Sequence, residues 1–188
     1  MEWIQSVDFA ILDGIQSVMR CDFWDVVMKV LSYLGEAGAL WIVLSIVLLF
    51  SRKTRVAGVA MLVSMALGFL IGDLAIKHLV CRPRPCVLHP LANMNISPPS
   101  SFSFPSGHST AGFAAAVSLT IWQRKWGIPA LVVAAAIAFS RLYNYVHFPS
   151  DVICGMILGT ACAFFVAWAF RKTGFANRLG GIPKAEGK

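Results

Sequence analysis

Apolar residues follow two different patterns along this chain. Over residues 3–19, Trp3, Ile4, Val7, Ile11, Ile15 and Val18 recur at helical spacing, with Asp8, Asp13 and Gln16 between them. That stripe predicts an amphipathic helix, lying in a membrane interface or covering a bundle. Beyond residue 24 the stripe gives way to longer apolar runs, over 24–50, 56–80, 107–123, 127–146 and 149–170. A helix needs roughly 20 residues to cross a hydrocarbon core of ~30 Å, and the run 56–80 is long enough. The run 24–50 is less uniform. Asp25, Lys29 and Glu36 interrupt its first half, only 38–50 is purely apolar, and Gly35 and Gly38 are placed to break it.

Composition strengthens this reading. Hydrophobic residues make up 57% of the 188-residue chain and charged residues 13%, where a globular domain carries about 25% charged. So few polar groups cannot coat a compact surface, so lipid must solvate part of it. The expected fold is an all-α, polytopic membrane helix bundle of about five spans plus the N-terminal amphipathic helix. One membrane-embedded domain covers 1–170, and the polar, glycine-containing stretch 171–188 is expected to be a flexible tail. The first twenty residues lack a basic start and a small-residue cleavage site, so no signal peptide is expected. Trp41, Trp122, Trp126 and Trp168 fall near predicted span ends and read as interface anchors.

The net charge of +7 carries topology. Arg52, Lys53 and Arg55, then Arg124 and Lys125, then Arg171, Lys172, Arg178, Lys184 and Lys188 flank alternate span ends, which marks those segments as cytoplasmic. No basic run interleaved with aromatics appears, so a nucleic-acid partner is not expected. Lys77, Arg82, Arg84 and Arg141 fall on the opposite face, where the topological rule does not account for them. The five cysteines contain no Cys-x-x-Cys pair and no histidine at zinc spacing, so no structural metal is expected. Cys154 and Cys162 read as packing residues, and Cys81 and Cys86, which bracket a proline-rich turn, leave a disulfide open.

Three patches share that outer face: Lys77 to Pro85, Pro105-Ser106-Gly107-His108, and Ser140-Arg141 followed by His147 and Asp151. The Pro-, Ser- and Asn-rich stretch 81–105 joins the first two. It is a long irregular connection of the sort that carries function. Alternating span directions bring all three patches to one membrane level. Lys77, Arg84 and Arg141 are then three cations at the boundary with Asp151 as the one acid in the patches, so an outside anion is expected. Arginine forks match phosphate oxygens, and the Ser106-Gly107 turn presents N–H groups at a helix start. His147 is followed four residues later by Asp151, a spacing at which the carboxylate orients one ring nitrogen and leaves the other as nucleophile. His108 beside the anion turn is placed as general acid and base. The side-chain cations replace a metal in this scheme, and no cofactor is required. His78 and His89 read as structural. Arg82 lies within the first patch, adjacent to its motif residues but out of register with them, and Asp73, one turn before Lys77, is placed to pair with Lys77. Met94, Ile96, Phe102 and Phe104 are placed either to touch a lipid chain or to pack on the bundle.

Lys-x6-Arg-Pro (Lys77, Arg84, Pro85), Pro-Ser-Gly-His (105–108) and Ser-Arg-x5-His-x3-Asp (Ser140, Arg141, His147, Asp151) resemble the three-part signature of the type 2 phosphatidic acid phosphatase family, over roughly residues 75–170. The resemblance implies a haloperoxidase-like all-helical core and metal-independent removal of phosphate from membrane lipid phosphates or diphosphates. It makes His147 the nucleophile, Asp151 its partner and His108 the acid/base, with Lys77, Arg84, Ser106, Gly107 and Arg141 holding phosphate. Six-span members of the family have one helix more than is counted here, and the 3–19 segment stands in its place. Short chains of this kind resemble bacterial undecaprenyl-diphosphate phosphatases. Phosphatidylglycerophosphate, phosphatidate and lipid A phosphatases share the motifs, and a soluble vanadium haloperoxidase or a non-catalytic membrane binder stands further off. The location expected is a bacterial plasma membrane, with the site facing outside.

Overall fold

Small residues pack the centre and large ones face outward. Ala57, Ala60, Ala114, Ala115, Ala116, Ala134 and Ala138 are at most 2% exposed, whereas Val43, Val47, Phe50, Val132, Ile157, Phe164 and Phe165 are at least 56% exposed. Water would favour the reverse arrangement. Lipid tails are as apolar as leucine, so helices in a membrane associate through close backbone packing, which small side chains permit.

The computed structural model describes residues 2–179, and those residues form helices joined by turns: α1 (Glu2–Met19), α2 (Asp22–Leu34), α3 (Ala39–Leu49), α4 (Arg55–Phe69), α5 (Lys77–Val80), α6 (Pro85–Leu88), α7 (Gly107–Trp122), α8 (Arg124–Tyr143), α9 (Pro149–Lys172) and α10 (Phe175–Arg178). The five apolar runs all become helical. The segment Arg55–Leu88, α8 and α9 are each long and apolar enough to cross a membrane, and α2 and α3 reach that length together across a 47° bend. The bend falls where the glycines predict it. Ala37 and Gly38 take left-handed φ of 50° and 69° in a short 3-10 turn, Glu36–Gly38. Helix α7 has 16 residues and packs against α4, α8 and α9. Between α4 and α5 the helix widens into a π-helical stretch, Leu70–Ile76.

Helix α1 is amphipathic as expected but turned polar side in. Leu12 and Asp8 are buried, and Trp3, Val7, Ile11 and Val18 are exposed. Its polar residues bond to the bundle: Gln16 Nε2 donates to Tyr143 O at 2.7 Å, and the Tyr145 hydroxyl donates to Asp13 at 2.7 Å. An apolar outer face on such a helix suits contact with lipid. The anchor reading needs correction for two tryptophans. Trp41 and Trp122 are buried in the main core, while Trp126 and Trp168 are exposed beside Lys125 and Lys172. Each of the two buried indoles sits on the side of its helix that meets the core, which hydropathy does not reveal. Helix α9 runs to Lys172, and Ala176 of α10 joins the core; the rest of the expected tail, 180–188, lies outside the described residues. All five cysteines are free thiols, Cys81 exposed and Cys86 buried.

Contact between α7 and α9 depends on two glycines. A Cβ on Gly159 would lie 2.3 Å from Thr110 O, and one on Gly155 would lie 2.6 Å from Ser106 O. The Gly159→Ala variant should therefore unfold below wild type in a detergent thermal melt. Overpacking costs about 1–3 kcal/mol, more than the gain of up to about 1 kcal/mol from replacing glycine in a helix. Gly14→Ala on α1, where nothing lies within 4 Å, should melt at or above wild type. Equal melting of both variants would mean that the α7–α9 interface is looser than described.

Candidate active site

At one end of the bundle, α5 and the 81–105 loop meet the N-terminus of α7 and the turn from α8 to α9. Asp151 is fully buried in the first turn of α9. Its Oδ2 accepts from the Phe148 N–H at 2.9 Å and from the Ser103 hydroxyl, and its Oδ1 accepts from Arg82 Nη1 at 2.7 Å. His147 Nδ1 lies 3.6 Å from Oδ2, facing it but beyond the distance of a formed hydrogen bond. The other ring nitrogen, Nε2, is 3.0 Å from Arg84 Nη1. A guanidinium offers only donors, so Nε2 carries the lone pair and Nδ1 the proton facing Asp151. Burial pushes His147 down to about 3; Asp151 pulls the other way, and Arg84 and Arg141 add to the effect of burial. The imidazole is therefore neutral at ordinary pH.

The turn that delivers His147 is tight. Tyr145 takes a left-handed φ of 57°, a conformation costing a non-glycine residue roughly 1 kcal/mol or more. Burial of its ring and the bond to Asp13 hold it there.

Arg84 is held on every N–H. Nε donates to Ser101 O at 2.7 Å, Nη1 to Val146 O at 2.7 Å as well as His147, and Nη2 to Ser101 Oγ at 3.0 Å and Phe102 O at 3.2 Å. Arg141, on the last turn of α8, donates Nη1 to Ser32 Oγ, and its buried Nε has no partner among the described residues. The expectation of three cations without carboxylates needs correction at Lys77, which pairs with Asp73 as the one-turn spacing allowed. Asp73 also approaches Gly107, where a Cβ would stand 3.1 Å from Oδ1. A side chain there would press on the Asp73 carboxylate.

Ser106 caps α7. Its Oγ accepts from Ser109 N–H, and its own N–H donates to Asp151 O at 3.1 Å. The Gly107 and His108 N–H groups, in the first turn without an intrahelical acceptor, remain to meet an anion. His108 Nε2 stands 3.3 Å from Ser32 O and 3.7 Å from Glu36 Oε2.

A cavity of about 570 Å³ joins these parts. Its lining includes Lys77, Arg84, Gly107, His108, Arg141 and His147 together with the apolar Ile42, Leu62, Met65, Ala66 and Phe69. Of the predicted site residues, six face this cavity, while Ser106 and Asp151 stand behind it, fully buried. Sequence reasoning missed Ser103, Ser101, Ser32 and Glu36. Serines in a Ser/Pro-rich loop and a glutamate at a helix break carry no spacing signal. His89 stacks on Phe9 at 4.1 Å and His78 lies edge-on to Phe102, while Met94 and Ile96 pack around Leu12.

An inside-out helical bundle with candidate spans and a cationic, histidine-bearing pocket defines an integral membrane protein. Residues 57–175 match the PAP2 superfamily, and the chain belongs to it. It is similar to the decaprenylphosphoryl-5-phosphoribose phosphatase of Mycobacterium tuberculosis, 37% identical over 142 residues, 72% of this chain and 75% of that protein. It is also similar to an undecaprenyl-diphosphatase of Sulfolobus acidocaldarius, 30% identical over 125 residues, 66% of this chain and 60% of that protein. The chain thus spans about 60% of that relative's length. Among solved structures it resembles the first transmembrane PAP2 type phosphatidylglycerolphosphate phosphatase from Bacillus subtilis, with a TM-score of 0.73 and 30% identity, covering 92% of this chain and 88% of that one.

Proposed function

We propose that this protein removes phosphate from a membrane lipid phosphate or diphosphate at the extracytoplasmic face, through a phosphohistidine on His147. The observation that carries the proposal is one cavity whose lining joins His147 and its cations with apolar side chains of α3 and α4. The cations suit a phosphate head and the apolar side chains a hydrocarbon tail.

His147 Nε2 attacks phosphorus, the N–P bond forms, and the bond from phosphorus to the lipid-side oxygen breaks. His108 gives that leaving oxygen a proton. Once neutral, His108 takes a proton from water, the resulting hydroxide attacks phosphorus, and the N–P bond breaks to free phosphate and His147. Asp151 offsets the positive charge that the ring gains while bonded to phosphorus. Lys77, Arg84, Arg141 and the Gly107 and His108 N–H groups hold the equatorial oxygens, where charge is spread in the transition state. Ser106 supports this arrangement from behind, as the α7 cap.

Undecaprenyl diphosphate is the substrate we favour, in keeping with the name of the Sulfolobus relative; the Bacillus neighbour supports phosphatidylglycerophosphate as the second reading. The outward face follows from the basic cytoplasmic segments.

His147→Ala should lower phosphate release at least about 10³-fold in purified protein, as loss of a covalent nucleophile does. Release at the wild-type rate would end the phosphohistidine scheme. Excess EDTA should leave wild-type activity intact, and complete loss on chelation would contradict the metal-free route. Across a detergent panel of undecaprenyl diphosphate, phosphatidylglycerophosphate and phosphatidate, kcat/KM should be highest for the prenyl diphosphate. A clear preference for phosphatidylglycerophosphate would move the assignment to the second reading.

A further inference from the structure

Arg82 fills none of the fixed positions of the three motifs, yet it makes the contact to Asp151 Oδ1. Its Nη1 donates to Asp151 at 2.7 Å and to Ser150 Oγ at 2.7 Å, and its Nη2 donates to Asp8 Oδ2 at 2.8 Å. The guanidinium rests on the Phe148 ring at 3.9 Å. Asp8 sits on α1, 3% exposed, and also accepts from the Ser150 N–H at 3.0 Å and the Ser150 hydroxyl at 2.5 Å. Ser150 thus donates to Asp8 and accepts from Arg82, closing a ring of charge-assisted bonds around the first turn of α9.

We infer that Arg82, held by Asp8 of α1, is a positioning residue that orients Asp151 and through it His147. The inference rests on the proposed role of His147. Asp151 Oδ2 is fixed by Phe148 N–H and Ser103, and Oδ1 is fixed by Arg82. Without Arg82 the carboxylate keeps its ties on Oδ2 alone and is free to turn about them, so the direction in which Oδ2 presents its lone pairs to the His147 Nδ1–H is no longer fixed. Arg82 is absent from the cavity lining, so it has no direct hold on the phosphate. Its charge lies between two buried carboxylates. Removing it leaves both without their cation, an expensive arrangement in a low-dielectric site. Asp8 has a separate effect: it draws the guanidinium toward α1 and fixes the angle from which Arg82 reaches Asp151.

Groups that act by orienting a catalytic partner lower turnover with little effect on substrate affinity, and their effect vanishes when the partner is gone. Arg82→Gln should lower kcat about 10–100-fold, the range seen when supporting-shell partners are lost, with KM within about twofold of wild type. Arg82→Lys, which keeps the charge but reaches one carboxylate, should recover part of that loss. Asp8→Asn should give a smaller kcat loss in the same direction.

The decisive measurement is a double-mutant cycle. On an Asp151→Asn background, Arg82→Gln should change residual kcat by less than about twofold. If the Arg82→Gln loss multiplies fully with that of Asp151→Asn, or raises KM in place of lowering kcat, the positioning role is overturned. If Arg82→Gln does not fold, Asp8→Asn takes its place in the same cycle, and wild-type kcat in that variant counts against the inference. His147→Ala separates the two proposals. An inactive His147→Ala beside a fully active Arg82→Gln overturns this inference alone, whereas an active His147→Ala overturns the phosphohistidine reading beneath it.

Discussion

Asp151 is a carboxylate buried at a helix start inside an apolar bundle, where desolvation costs several kcal/mol unless every lone pair is met. The chain meets them from three directions: Ser103 from the loop after α6, Arg82 from the turn after α5, and the Phe148 N–H from its own helix. Those bonds fix the loop, the turn and the helix start relative to one another. The Asp151 carbonyl adds a fourth tie, accepting the Ser106 N–H. The start of α9 therefore sets the start of α7, and with it Gly107 and His108. Loss of the carboxylate would free the parts that define the pocket.

That arrangement needs helices that approach closely, and the composition of the core supplies them. With alanine and glycine along α7 and α9, the backbones come near enough for Ser106 to bond Asp151 directly. Bulky side chains at the same positions would separate the two starts and open the pocket. The large residues go outward, where lipid accepts them without penalty. The inverted distribution and the site thus share one cause, a solvent that gives apolar side chains no reason to be inside.

Much of this was legible from spacing. Histidine and carboxylate four apart, serine and glycine before a histidine at a helix start, and cations at two span ends are local patterns, and alternating spans bring them together. Lys77 was half legible, since Asp73 one turn away was visible as a partner but the cation count set it aside. Ser103, Ser32 and Asp8 were not legible. Each acts on a residue at least 48 positions away, and what selects it is the path of a loop or the face of a helix. Arg82 fell between the two cases: its position on the outer face was unexplained by topology, and the partner that explains it lies on α1. The buried tryptophans failed for a related reason, because proximity to a span end does not say which side of the helix faces the core.

Arg84 shows how the resting site meets a ligand. All five of its N–H groups are engaged, one of them on the His147 lone pair. An incoming phosphate that reaches His147 must take the place of that one bond. The exchange is favourable: a neutral nitrogen acceptor is replaced by an anionic oxygen, and hydrogen bonds to ionised acceptors are roughly twice as strong. The remaining four bonds, to Ser101, Phe102 and Val146, need not break, so the guanidinium turns little as it passes from nucleophile to ligand. Arg141 offers the complementary group, a buried Nε without a partner among the described residues. On the proposed reading, arrival of phosphate exposes the His147 lone pair, and until then Arg84 covers it.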